Sequence, residues 1–462
     1  MKNSGIKSRI VSSTGISLML LIMLINPTFV GAVERVMVTT GTVLPGEVTM
    51  KAFTLSKDGR VKVESAFGLF LENGSELIFY GWILDNNTRK VVWQMLKEDS
   101  EFARGVSNIN EVILLPKGDY EIYYTAAWNH EDELEESHNM VSRIFSGIFK
   151  LDKKKYMNTY RDQLKITVSG PNEYFNEANP IDLLNRWEKN AVVSIVRALH
   201  ESRIRKAFLL KKETRVHIYA LGESHYLENR HHTTYDYAWI DDIENNKRTW
   251  SMDERDIKHA GGANKNVFID EEITLPAGKY MVYYTTDGSH SFENWNSLPP
   301  NDPQAWGITI RPVNQNELAN AVPIQDFQFP KPVLELTKIN EDKKVSLQMI
   351  LDKPMKLRIF CLGEGDVRGK MVDYGWIDKA GTGEKIWTMI GKKNRHAGGA
   401  QKNRMLNEII QFDKGNYVVN YVTDDSHAYN KWNSAAPFDP ERWGITIWVT
   451  DENDRKHVQV IK

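Results

Sequence analysis

Two segments of the chain concentrate side chains able to do chemistry. One is His259-Ala-Gly-Gly-Ala-x-Lys265-Asn266. The other begins Asp287-Gly-Ser289-His290 and runs on through Trp295-Asn296-Ser297, Pro300, Asp302-Pro303 and Trp306. Both recur at a constant offset of 137, from 259 to 396, as His396, Lys402-Asn403, Asp424-Asp425-Ser426-His427, Trp432-Asn433-Ser434, Pro437, Asp439-Pro440 and Trp443. His259, His290 and Asp287 form a two-histidine, one-carboxylate set of the kind that binds zinc or a neighbouring transition metal, with Asp302 in reserve. A calcium site would instead draw on Asp287, Asp302 and loop carbonyls. Trp295 beside Asn296 offers a flat apolar face and a directional amide, the pairing a sugar site uses. The glycines after His259 would let backbone N–H groups approach an anion. His396, Asp424, Ser426, His427, Trp432, Asn433 and Asp439 carry the same options in the later copy.

A structural reading stands beside these. Asp287 and Ser289 open a long loop, where such residues bond nearby backbone groups. Trp306 and Trp443 begin Trp-Gly-Ile-Thr-Ile strands and would cap the core. Nucleophilic catalysis is disfavoured, because the side chains of Ser289 and His290 diverge in extended backbone. Gly-x-Ser-x-Gly, His-Glu-x-x-His and a phosphate loop are missing from the sequence. A metal-dependent hydrolase using His259, Asp287 and His290 is therefore the weakest functional reading. Cys361 stands where the earlier copy has Ala220, so it reads as a small core residue. His225, His231 and His232 occur in one copy and read as solvated.

What positions these loops is a repeated unit. Asp236-Tyr-Ala-Trp-Ile-Asp241 returns as Asp373-Tyr-Gly-Trp-Ile-Asp378, and Trp250 and Met252 return as Trp387 and Met389. A worn copy lies upstream. Its Trp82, Trp93 and Met95 match Trp239, Trp250 and Met252, and its Leu115-Pro116, Gly118 and Tyr120 match Leu275-Pro276, Gly278 and Tyr280. That copy has Ala127 in place of Asp287 and His130 in place of His290, and it lacks the His-Ala-Gly-Gly loop. The expected units span 33–150, 191–313 and 331–451. A polar connector with a short helix from about Pro180 fills 151–190, a linker fills 314–330, and a charged tail fills 452–462.

Each unit reads as an antiparallel, all-β sandwich of jelly-roll type. Between the later copies, residues 278, 280, 282, 284 and 286 are kept while 279, 281, 283 and 285 change. Period-two identity is what a strand gives when one face is locked in a core and the other meets water. A strand near 267–275 leaves the His259 loop and the strand 279–286 returns, so both loops emerge at one end of the sandwich. Such loop ends usually carry binding sites. Phe208-x-Leu210, Arg215-Val216 and Leu275-Pro-Ala-Gly-Lys-Tyr280 resemble the secreted bacterial β-sandwich modules of the pre-peptidase C-terminal type. That resemblance implies a module that accompanies exported enzymes and acts in binding or maturation, in some cases with calcium.

Composition narrows the rest. With 59 Lys and Arg against 61 Asp and Glu, the chain lacks the basic excess of a general nucleic-acid binder. One cysteine excludes an internal disulfide framework, and 13 tryptophans supply real cores. Lys2, Lys7 and Arg9, the apolar run 16–25 and Val30-Gly-Ala32 read as a signal peptide cleaved after Ala32, leaving no membrane span. The expected protein is exported and non-catalytic, needs no cofactor, and presents one ligand site in each later unit. Calcium or another divalent ion is the metal candidate. A polysaccharide or cell-surface polymer is the partner. The alternative is a structural envelope or matrix protein.

Overall fold

The computed structural model describes residues 35–72, 75–95, 105–129, 160, 162–226, 232–245, 247–366 and 368–461. The segment expected to be a signal peptide, His130 and His231 lie outside the described residues. The fold is antiparallel and all-β, as the periodicity predicts. No helix among the described residues is long and apolar enough to cross a membrane.

One pairing plan recurs along the chain. In the outer layer Val48–Leu55 pairs with Gly118–Asn129, which pairs with Ser75–Asp85, which pairs with Val91–Gln94. Arg203–Leu210, Gly278–Thr285, His232–Asp242 and Lys247–Ser251 repeat that order, as do Lys344–Leu351, Gly415–Val422, Tyr374–Lys379 and Lys385–Thr388. The inner layers centre on Gly59–Glu72, Thr214–Tyr226 and Met355–Glu364. In the first two units a long hairpin carries both layers in one sheet of nine or ten strands; in the third the layers stay separate, with five strands each. A recurring turn fixes the sheet bottom: Tyr120, Tyr280 and Tyr417 each donate their hydroxyl to a carbonyl four residues back, those of Pro116, Pro276 and Asp413.

Three segments read as connectors turn out to carry strands. Ile166–Pro171 pairs with Gly59–Glu72, and Phe175–Ala178 pairs with Val48–Leu55, so most of the expected 151–190 connector beyond residue 165 closes the first unit. Ala321–Ile324, from the expected linker, pairs with Arg203–Leu210. Val458–Ile461, from the expected tail, pairs with Lys344–Leu351. Each is short, so it shows little periodicity. The helix Pro180–Lys189 does form. Asn179 caps it by accepting from the Ile181 N–H, proline occupies its first turn, and Leu183, Leu184 and Trp187 are buried.

The second departure concerns the outer face. Tyr280, Val282 and Tyr284 fill the core as expected, but Met281 and Tyr283 are also buried. The loop end of the third unit covers them: Phe438 packs edge-on against Trp239 and Tyr283, with ring centroids 5.4 and 5.1 Å away. The loop end of the second unit covers the first in the same manner. Trp82 donates its indole N–H to the Asn301 carbonyl at 2.7 Å, and Ala263 and Leu298 join the first unit's core.

Candidate metal centre

The side chains that converge at the loop end are three carboxylates. Glu223, at the end of the inner strand, stands directly opposite Asp236 on the neighbouring strand. Asp287 leaves the next strand of the outer layer, and one oxygen from each of the three lies within 4.8 Å of the others. The trio is held by backbone and indole donors. Asp236 accepts the Asp287 N–H at 2.8 Å on one oxygen and the Trp306 indole N–H at 3.1 Å on the other. Asp287 accepts from the Ser289 N–H and hydroxyl. Glu223 pairs with Lys265 through Oε1 at 2.9 Å. Its other oxygen, Oε2, is buried without a hydrogen-bond partner, on a side chain that is itself buried.

The third unit rebuilds the trio at the matching positions, with Glu364 half-buried where Glu223 is buried. Glu364, Asp373 and Asp424 gather within the same span. Asp373 accepts from the Asp424 N–H and the Trp443 indole, Lys402 pairs with Glu364 Oε1 at 3.1 Å, and Glu364 Oε2 again has no partner. In the first unit the matching strand pair is Gly68 opposite Phe79, with Ala127 in Asp287's place, so all three carboxylates are gone together.

Three carboxyl groups against one ammonium define the chemistry of each site. Burial, then repulsion from Asp287 and Glu223, holds Asp236 well above the usual carboxylate range. Burial pushes Glu223 up to about 7 against the pull of Lys265, and burial likewise pushes Asp373 up to about 7. A hard divalent cation relieves this repulsion and takes oxygen donors of this kind, at 2.3–2.6 Å for calcium. With no imidazole or thiolate in the trio, a zinc-type site is not assembled.

The histidines expected as ligands do other work. His290 is fully buried, with Nδ1 2.8 Å from Asn296 Oδ1 and Nε2 2.6 Å from Asn266 Oδ1. Both acceptors are fixed: the Asn266 amide donates to the Gly261 and Leu298 carbonyls, and Asn296 Oδ1 also receives Lys265. Burial and then the Lys265 ammonium push the His290 pKa down, while its hydrogen bond to Asn296 opposes them, and the neutral ring, with one N–H, donates to only one of the two oxygens at a time. His427 has the same partners in Asn433 and Asn403. His259 bonds the Ala263 carbonyl in its own loop. His396 bonds the Ala400 carbonyl through Nε2 and accepts the Tyr237 hydroxyl at Nδ1, across the contact between units. The two-histidine, one-carboxylate set therefore does not form, and the hydrolase reading loses its ligands.

Other expectations are corrected in the same way. Asp302 accepts two hydrogen bonds from Arg89 of the first unit and one from Tyr219, so it does not join Asp287 in a calcium site. Asp439 pairs with Arg205 of the second unit at 3.1 Å. Trp295 is buried, edge-on to His290 and Trp306, and Trp432 packs likewise on His427 and Trp443, so Trp295 presents no open sugar platform. The double glycine serves close packing, since Gly262 has φ +68 and a Cβ there would lie 2.0 Å from the Pro299 carbonyl oxygen. Gly262→Ala is expected to lower stability by about 1–3 kcal/mol, read as a drop in unfolding midpoint, through clash and left-handed strain together.

Glu223, Asp236, Glu364 and Asp373 were not among the expected ligands. Their signal was present: both copies read Leu-Gly-Glu, and both open the Asp-Tyr-x-Trp-Ile-Asp strand with an aspartate that a buried strand does not otherwise favour.

No family model matches the chain, and no curated protein does. Among solved structures, the CUB1-EGF-CUB2 domain of human MASP-1/3 is similar over 55% of this chain and 95% of its own, at 11% identity and a TM-score of 0.17. What stands of the resemblance noted in the sequence is the all-β sandwich.

Proposed function

We propose that this protein is an exported, non-catalytic interaction protein whose second and third units each hold one calcium ion between three carboxylates. The observation that carries the reading is the buried Oε2 of Glu223, lacking a partner beside Asp236 and Asp287, and its recurrence at Glu364. A buried carboxylate oxygen without a donor is costly unless a cation meets it. The position of the site suggests what the ion does. Asp287 begins the loop that runs on to Asn301 and Asp302, which grip the first unit. Asp424 begins the loop that delivers Phe438 and Asp439 to the second. A bound ion would stiffen both loops and set the geometry of the joints between units, giving a rigid multi-unit binder. Isothermal titration of chelator-treated protein is expected to give two calcium ions per chain. Asp287→Asn and Asp424→Asn should each remove one. Absence of binding in the wild type, with no metal by elemental analysis, sinks the reading.

A further inference from the structure

Two of the three outer faces among the described residues are covered by a loop end, and the third face repeats their central tryptophan. Trp82, Trp239 and Trp376 hold the same place in the outer layer, opposite Tyr123, Tyr283 and Asn420. Trp82 is 0% exposed beneath Asn301, and Trp239 is 3% exposed beside Phe438. In both cases the aspartate that follows in the chain, Asp302 or Asp439, lands on an arginine of the covered unit, Arg89 or Arg205. The two docking tips are thus Asn301-Asp302-Pro303 and Phe438-Asp439-Pro440, at matching positions of the repeat. One residue meets the tryptophan and the next brings a carboxylate to a cation.

Trp376 keeps the aromatic part of this arrangement, while Ser346 takes the register position of Arg205 and the nearby cations come from other positions. Its ring is partly exposed, as is Tyr374, whose centroid lies 5.4 Å away. Lys344 and Lys385 flank the indole at 5.8 and 5.2 Å from its centroid, and Lys385 also pairs with Asp378 at 3.5 Å. Lys385 stands at the strand position of Arg248, which flanks Trp239 at 4.9 Å. The indole N–H, which in Trp82 reaches the docked loop, here turns to Asp378 of its own unit at 2.7 Å. Val372 lies close by in sequence and is exposed. Aromatic surface with flanking cations and partial exposure is what a loop end presenting an apolar side chain or a main-chain carbonyl just before Asp-Pro would cover.

We propose that the Trp376 face of the third unit is a docking surface for the loop end of a β-sandwich unit on another polypeptide, one that sets an apolar side chain or a main-chain carbonyl on the indole and a carboxylate beside Lys344 and Lys385. The inference stands on the packing between units and does not depend on calcium.

The test uses a loop end of known competence. The third unit has a core drawn wholly from residues 334–448, with no member from the other units, so residues 331–462 contain what an independent fold needs. Excision frees its Phe438-Asp439 tip from the second unit. Sedimentation velocity of this piece, with folding checked by circular dichroism, is expected to show concentration-dependent head-to-tail association across the micromolar range. Trp376→Ala and Phe438→Ala should each weaken it at least about tenfold. A mixture of the two variants, one with an intact tip and the other with an intact face, should form a one-to-one dimer. The piece should also bind full-length protein, and Trp376→Ala in the full chain should abolish that binding. Where the piece does not fold, residues 191–462, which free the Asn301-Asp302 tip, take its place as the probe. A probe that folds and stays monomeric, or association indifferent to Trp376, overturns the proposal.

Discussion

Arg89→Met is expected to lower stability by about 3–5 kcal/mol and to loosen the joint between the first two units. Arg89 lies between Glu121 of its own unit and Asp302 of the second, and all three side chains are buried. Nη1 reaches Glu121 at 2.5 Å, while Nη2 and Nε clasp both oxygens of Asp302 at 2.5 and 2.8 Å. Tyr123 donates to Glu121 and Tyr219 to Asp302, and Trp187 lies 4.8 Å beneath the guanidinium. Methionine fills much of the same volume but leaves two carboxylates facing each other in an apolar joint. The loss comes mainly from that uncompensated charge, not from the missing pair itself. Two further results follow. The triple variant Arg89→Met, Glu121→Gln, Asp302→Asn should recover most of the lost stability, since it removes the charges with the cation. The defect of the single variant should shrink toward acid pH, where the stranded carboxyls take up protons. Thermal unfolding across pH measures both, and small-angle scattering reports the joint. A loss below about 1 kcal/mol, the size of a surface pair, contradicts the account.

The joints explain where sequence reasoning succeeded and where it stopped. Period-two identity placed Tyr280, Val282 and Tyr284 in the core correctly, because that face is locked within one unit. It assigned Met281 and Tyr283 to solvent, because a face covered by another unit varies with its partner and looks like a wet one. Asp302 and Asp439 drew attention as identical loop residues, because both dock on an arginine of the preceding unit, whereas their neighbours Asn301 and Phe438 differ between the copies and drew none. The carboxylate trio was half legible. Asp287 stood in a loop and was noticed. Glu223 and Asp236 sat inside strands, and only the register that sets them opposite each other reveals a shared site. The histidines misled because a polar network of His290, Asn266, Asn296 and Lys265 has the composition of a ligand set. Its hydrogen bonds close on themselves, and no sequence pattern shows that closure.

Calcium is expected to raise the unfolding midpoint by an amount that grows with pH. Glu223 and Asp373 are each pushed up to about 7 in the folded protein, far above their ordinary values. A raised carboxyl pKa means the folded state binds the proton more tightly than the unfolded chain. Without calcium, stability from these groups is therefore present at acid pH and falls as pH rises from roughly 4 through 7. The loss approaches roughly 3 kcal/mol for Glu223 and roughly 4 kcal/mol for Asp373. Calcium binds only the ionised carboxylates, so its affinity and its stabilisation climb over the same window, and binding releases protons. Buried histidines complicate the raw curve. His396, neutral between Tyr237 and Ala400, is pushed down to about 4, so its contribution is lost as pH falls and opposes the carboxylate trend. The difference between midpoints with calcium and with chelator cancels that term, because His396 is not part of either trio. This difference should be small near pH 5 and large near pH 8. Glu223→Gln with Glu364→Gln should flatten it and, in chelator at pH 8, should melt above the wild type. A difference that does not change with pH would mean that any bound calcium sits elsewhere than among these carboxylates.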